Sequence, residues 1–316
     1  MTRFRSTLPQ VNGTTLLTDS GLETTLIFHD GLDLPCFAAY PLMETAEGRA
    51  VLRDYFQRHL AIASERSAGF LLESPTWRAS RDWGAQLGHG PDDLARLNND
   101  AIAMLVDLRD DATGVGPIVI SGNIGPRGDG YVADAAMTAD EAEDYHAEQI
   151  GWFAQSEVDL ATAVTLSTVA EGVGVIRAAH RVDLPVVVSF TTETDGRLPD
   201  GTPLGRAIEQ TDALTDGAAA YFMVNCAHPD HFRPVLDTGT AWLNRIGGVR
   251  ANASRMSHAE LDEAETLDAG DPAELGRDYR DLRQILPNLT VIGGCCGTDH
   301  RHIEAMADRC LGHNAA

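Results

Sequence analysis

The chain contains no lysine: all 24 basic residues are arginine, set against 47 aspartates and glutamates. That absence excludes whole chemistries. Covalent pyridoxal phosphate catalysis, Schiff-base aldol chemistry and P-loop phosphoryl transfer each need a lysine amine, as nucleophile or as phosphate-reaching charge. Clusters of positive charge are missing as well. The net charge of −23 is spread along the chain, so phosphate backbones and anionic membrane surfaces are repelled, and neither nucleic acid nor membrane is an expected partner. No stretch reaches the ~18 apolar residues of a membrane span, and Met1 to Gly13 has no apolar run of signal-peptide length, so a cytoplasmic location is expected. Cysteine is scarce: the five residues (Cys36, Cys226, Cys295, Cys296, Cys310) are an odd number in a long chain, which argues against a disulfide framework.

What is present is an ordinary globular mixture, 43% apolar and 22% charged, over 316 residues. An α/β barrel of this length forms one domain, and a single domain over 1–316 is expected. Eight short apolar, β-branched runs recur: Leu16 to Thr18, Gly69 to Glu73, Pro117 to Ser121, Asp159 to Leu166, Pro185 to Phe190, Ala218 to Asn225, Ile246 to Ala251 and Leu289 to Gly293. Amphipathic stretches separate most of them. Ala46 to Ser67 carries Val51, Leu52, Tyr55, Phe56 and Leu60 on one helical stripe, and Asp140 to Gln155, Ala170 to Ala179 and Pro272 to Leu286 behave alike. Repeated βα units predict a (β/α)₈ barrel, with a doubly wound open sheet as the competitor. In the barrel, the polar insertion Asn252 to Asp271 after the seventh strand lies over the catalytic face.

The most specific local signal is Gly293-Gly294-Cys295-Cys296-Gly297 at the end of the eighth strand. Cys226 ends the sixth strand in Val224-Asn225-Cys226-Ala227-His228-Pro229. In a barrel both segments reach the same rim, so three sulfurs face one cavity. Two readings stay open. The cysteines are small buried hydrophobes and turn fillers, or they hold zinc at about 2.3 Å per Zn–S bond with the fourth position open. His228, His231, His300 and His302 stand close enough in sequence to substitute as ligands, although Thr298 or Asp299 reads as the N-cap of a last helix that carries His300 and His302 outward. Three anionic thiolates acidify a bound water less than neutral histidines do, yet they accept an incoming thiol as thiolate. Attack of such a thiolate on a sulfonium or ammonium methyl is the reaction that follows.

The chain also resembles the homocysteine S-methyltransferase family over nearly its whole length. Asp19-Ser20-Gly21-Leu22-Glu23-Thr24-Thr25-Leu26 is similar to the family's Asp-Gly-Gly-x-x-Thr-x-Leu, and Glu73-Ser74-Pro75-Thr76-Trp77 to its Glu-x-x-Thr-Phe. Gly122 to Pro126, Gly196 to Leu204, Asn225-Cys226 and Gly293 to Thr298 match its remaining motifs. The resemblance implies a (β/α)₈ barrel with Zn2+ on Cys226, Cys295 and Cys296, and homocysteine sulfur in the open position. It implies that Asp19 helps hold the amino-acid substrate, that the backbone at Ser20 and Gly21 receives its carboxylate, and that Thr76, Thr165 and Asn225 lie beside it. The expected partners are therefore a small-molecule thiol and a methyl donor, a sulfonium or betaine compound held by aromatics such as Trp77. A different thiol acceptor, a zinc hydrolase or lyase, and a non-catalytic zinc-binding homologue are the alternatives.

Two departures stand out. The family's fourth strand ends in Phe-Glu-Thr, whose glutamate pairs with the homocysteine ammonium, whereas this chain reads Ala163-Val164-Thr165. A desolvated ammonium without a counter-ion costs several kcal/mol, so Asp19, Glu23 or Glu73 must replace the glutamate or the acceptor must differ. Glu23, an acid where the family has a small residue, is one such replacement. Arg250 and Arg255, in a seventh-strand segment unlike the family's, either grip a substrate carboxylate or pair with the acidic loop that follows.

Overall fold

A computed structural model describes residues 2–132, 137–236, 240–264 and 266–311. Eight parallel strands close into a barrel in sequence order: β1 (Leu16–Leu17), β2 (Gly69–Glu73), β3 (Ile118–Ile124), β4 (Leu160–Leu166), β5 (Val186–Phe190), β6 (Tyr221–Asn225), β7 (Ile246–Ala251) and β8 (Val291–Gly294). β1 pairs with both β2 and β8, which completes the ring. Every strand residue except Asn123 is buried, as expected when helices cover the outside of a parallel sheet.

The helices are α1 (Leu22–Phe28), α2 (Ala46–Glu65), α3 (Arg81–Gln86), α4 (Pro91–Asp111), α5 (Ala139–Ala154), α6 (Val169–His180), α7 (Leu204–Thr215), α8 (Pro229–Phe232), α9 (His258–Asp262), α10 (Pro272–Ile285) and α11 (His300–Cys310). Their starts follow local chemistry. Thr138 and Glu141 form a capping box on α5, and the Asp271 carboxylate accepts from Ala273 and Glu274 N–H groups at the start of α10. The four helices expected from periodicity appear within one or two residues of their expected ends. No helix among the described residues is long and apolar enough to cross a membrane.

The last helix corrects one expectation. Asp299 does cap α11, but His302 turns inward and is fully buried. Its Nδ1 accepts from the Asp299 N–H at 3.1 Å and its Nε2 donates to the Ala269 carbonyl at 2.9 Å.

Candidate active site

The cysteine rim is built by three strand ends. Cys295 N–H donates to the Ala251 carbonyl at 2.8 Å, Ala253 N–H donates to the Cys296 carbonyl at 3.1 Å, and Cys226 N–H donates to the Arg250 carbonyl at 3.1 Å. β7 thus splints the cysteine-bearing ends of β6 and β8 together. Glycine is required where the loop after β1 presses on this rim: a Cβ on Gly21 would stand 2.5 Å from the Cys295 carbonyl oxygen.

Two residues here hold the left-handed conformation that L side chains disfavour, Thr165 at φ 63° and Cys226 at φ 52°. For a β-branched residue this strain persists only when the surroundings over-determine it. Asn225 supplies the constraint. Its Oδ1 accepts from Thr165 N–H and from Ser189 Oγ, and its Nδ2 donates to Thr165 Oγ1 at 2.8 Å. The ladder between β4 and β5 shifts register at the same place, between Ala163 and Leu166. Thr165 Oγ1 lies 3.9 Å from Cys226 Sγ, and His258 Nε2 donates to the Cys226 carbonyl at 2.6 Å.

The three sulfurs of Cys226, Cys295 and Cys296 lie within 4.8 Å of one another, and no other His, Cys, Asp or Glu among the described residues joins them. His228 and His231 are occupied by backbone partners, Asp230 N–H and the Arg255 carbonyl respectively. The histidines therefore do not serve as substitute ligands. Cys226 and Cys295 are joined as a disulfide, a single link between neighbouring rim residues that the sequence reading did not anticipate. Cys226 and Cys296 sulfurs are 3.9 Å apart, close to the ~3.8 Å between two sulfurs on one tetrahedral zinc. Three reduced thiols fit that metal in chemistry, and the Cys226–Cys296 spacing suits it. Burial pushes the Cys296 thiol up to about 11, so the unmetallated site holds it protonated. Tyr131 adds a polar contact, its hydroxyl 3.7 Å from Cys296 Sγ and its ring packed against His258.

Beside the sulfurs opens a cavity lined by Asp19, Ser20, Gly21, Glu23, Glu73, Asn123, Trp77, Val164, Thr165 and Arg250, among others. Arg250 is its central charge. The guanidinium contacts Glu73, donates to Asp19 Oδ1 at 2.8 Å, and also reaches the Ser20 and Gly294 carbonyls. Arg250 therefore pairs with acids of β2 and the β1 end rather than with the loop after β7. Arg255 bonds Asp230 and Glu274, both outside that loop. Asp19 is further held by the Tyr55 hydroxyl at 3.1 Å, and Ser20 Oγ donates to the neutral ring of His59, whose pKa burial lowers to about 4. Burial, with Asp19 adding to it, lifts the Glu23 carboxyl to about 7. A second cavity shares Thr24, Phe37, Trp77, Tyr131 and Cys296 with the first and continues under the loop after β7, where Asn252, Ser254, His258 and Asp268 line it.

Of the residues expected at the site, Asp19, Ser20, Gly21, Glu23, Thr165 and Asn225 do line the cavity. Thr76 does not: its hydroxyl is turned to the Asn123 carbonyl at 2.7 Å and to Ser74. Gly21 N–H already donates to Thr298, so it is not free to receive a carboxylate. Sequence reasoning missed Tyr131, Asn123 and His258. The acid and arginine motifs could not have joined Glu73 to Arg250, which lie on strands far apart in the chain.

A closed parallel barrel carrying three convergent cysteines at the ends of its strands defines a class: a (β/α)₈ barrel with a cysteine cluster on its carboxyl rim. The family model for homocysteine S-methyltransferase matches residues 16–310, and the chain belongs to that family and is a methyltransferase. No curated protein matches it. Among solved structures it is similar to the homocysteine methyltransferase MmuM from Escherichia coli. For the oxidized form the identity is 18%, the TM-score 0.73, and the match covers 93% of this chain and 96% of that one. For the metallated form the values are 17%, 0.72, 96% and 99%. At such identity the likeness establishes the shared fold.

Proposed function

We propose that the protein, as one domain over 1–316 and in the cytoplasm, is a zinc-dependent S-methyltransferase that moves a methyl group from a small sulfonium or betaine donor to homocysteine, giving methionine. The observation that carries this reading is the convergence of the Cys226, Cys295 and Cys296 sulfurs at the mouth of the barrel, beside a cavity lined by acids and aromatics. These three residues, reduced, would hold the metal. Bound there, zinc supplies positive charge that keeps a substrate thiol deprotonated at neutral pH, which raises the reactive fraction of a group whose ordinary pKa is about 8.5.

The rest of the chemistry belongs to the chain's own side chains. Asp19, paired with Arg250, and Glu23 line the acceptor side of the cavity from the β1 end. Asn225 acts by fixing Thr165 in its left-handed conformation, which sets the Thr165 hydroxyl beside the Cys226 sulfur. The acceptor sulfur forms its new S–CH₃ bond as the donor's C–S or C–N bond breaks, and the electron pair leaves with a neutral sulfide or amine. Phe37, Trp77 and Tyr131 line both cavities and present aromatic faces to a cationic donor entering beneath the loop after β7. Excluding water and aligning the two carbon–heteroatom bonds supply most of the acceleration.

The test is metal content of freshly reduced protein, followed on the same sample by methyl transfer from S-methylmethionine or glycine betaine to homocysteine. One zinc per chain with methionine formed supports the proposal. Metal without methionine from either donor contradicts the acceptor or donor assignment, and reduced protein that binds no zinc contradicts the mechanism.

A further inference from the structure

The acid-lined side of the cavity raises a question that the cysteines do not. Val164, where the family pattern carries a glutamate, lines the cavity as an apolar residue only 7% exposed. Nothing at that position can meet an ammonium. On β2, Glu73 lines the same cavity and is 2% exposed. Its Oε2 is taken by Arg250, while its Oε1 is buried and has no hydrogen-bond partner among the described residues. Asn123, on the neighbouring β3, repeats the pattern: it lines the cavity and its buried Oδ1 is also without a partner among the described residues.

Arg250 is shared between Glu73 and Asp19, so one guanidinium serves two carboxyl groups. No second cation lines the cavity among the described residues; its other titratable groups are Glu23, Tyr131 and the cysteines. A buried carboxylate oxygen left unpaired is costly, and so is a buried amide oxygen with no donor. A group that brings positive charge together with N–H donors satisfies both oxygens. A sulfonium or quaternary ammonium methyl donor has the charge but no N–H, whereas a primary ammonium has both.

We infer that Glu73 Oε1 and Asn123 Oδ1 receive the ammonium of the acceptor thiol, so that the amino-group site lies on the second and third strands instead of the fourth. The inference rests on the proposed reading of the acceptor as an amino-acid thiol. β3 pairs with β2 on one side and β4 on the other, with Asn123 in register with Thr162, so the site is displaced along the rim and stays within the same cavity. Arg250 becomes the positioning residue that holds the Glu73 carboxylate by its other oxygen.

The experiment compares two thiols on zinc-loaded, reduced protein: homocysteine and 4-sulfanylbutanoate, which keeps the carbon chain, the carboxylate and the thiol but lacks the amine. Affinity by calorimetry and KM in methyl transfer are both read. Glu73→Gln should weaken homocysteine by about 10- to 100-fold and leave 4-sulfanylbutanoate within about threefold. Because Glu73→Gln also touches Arg250, Asn123→Ala provides a variant that leaves the ion cluster intact, and it should shift homocysteine selectively by a smaller factor. Adding Val164→Glu to Glu73→Gln should restore homocysteine binding. Equal loss for both thiols, or no loss in either single variant, overturns the ammonium site while the wild-type activity leaves the proposed function standing. Wild-type protein that neither binds nor methylates homocysteine overturns the function itself.

Discussion

The two ends of the barrel are built on opposite terms. At the floor, Leu16, Leu71, Val119, Leu160, Val187, Met223 and Val291 form an apolar layer, with Leu8 and Tyr221 packed against it and Phe4 at its edge. The amino-terminal segment is tied beneath it where Asp159 accepts from the Arg3 and Phe4 N–H groups. At the mouth the same strands lead into Asp19, Glu73, Asn225 and Arg250, all buried, into two residues with left-handed backbone, and into polar atoms without partners among the described residues. Free energy gained by close packing at one end offsets strain and desolvation at the other. The lesson is a division of labour along each strand, in which a residue's distance from the carboxyl end decides whether its loss is felt in stability or in chemistry.

The largest break in that comparison should come at the sulfurs. Cys226→Ser or Cys296→Ser is expected to remove zinc and lower methyl transfer at least about a thousandfold, about 4 kcal/mol of transition-state stabilisation, with little change in thermal unfolding of the reduced, metal-free protein. Retained transfer in zinc-free variants would contradict the division. Leu160→Ala at the floor should do the reverse, costing about 2–5 kcal/mol of unfolding free energy while the folded fraction keeps its kcat/KM. A smaller effect sharpens the picture at the mouth. Glu23, lifted to about 7 against 4.5 for an ordinary glutamate, keeps its proton in the native state over a range where the unfolded chain has lost it. Its contribution to stability is complete below pH 4.5 and is lost as pH rises through about 7, so Glu23→Gln should flatten that fall in urea titrations of metal-free protein. A slope indifferent to the substitution would mean that the carboxyl is not desolvated.

Much of the frame was legible because period-two and period-3.6 patterns are local. All eight strands were placed, even β1, which pairs over only two residues, Leu16 and Leu17. α4 escaped notice although its signals were present: Pro91 in the first turn, Asp92 and Asp93 beside it, and a stripe through Leu94, Leu97, Ala101, Leu105 and Leu108. The cysteine motifs could be read because glycine-flanked vicinal cysteines have few other uses. What stayed hidden depends on closure of the ring. Arg250 reads in sequence as a rim charge beside an acidic loop, and only the barrel brings it to Asp19 and Glu73. Thr76 and His302 turned away from their expected roles because nearby backbone groups, the Asn123 and Ala269 carbonyls, claim their polar atoms.

The most direct test of the central claim is zinc K-edge X-ray absorption of the reduced, metal-loaded protein with and without homocysteine. Three sulfurs at about 2.3 Å, joined by a fourth when homocysteine is added, is the expected result. A shell with fewer than three sulfurs, or one that homocysteine leaves unchanged, would contradict capture of the acceptor thiol by the cysteine rim.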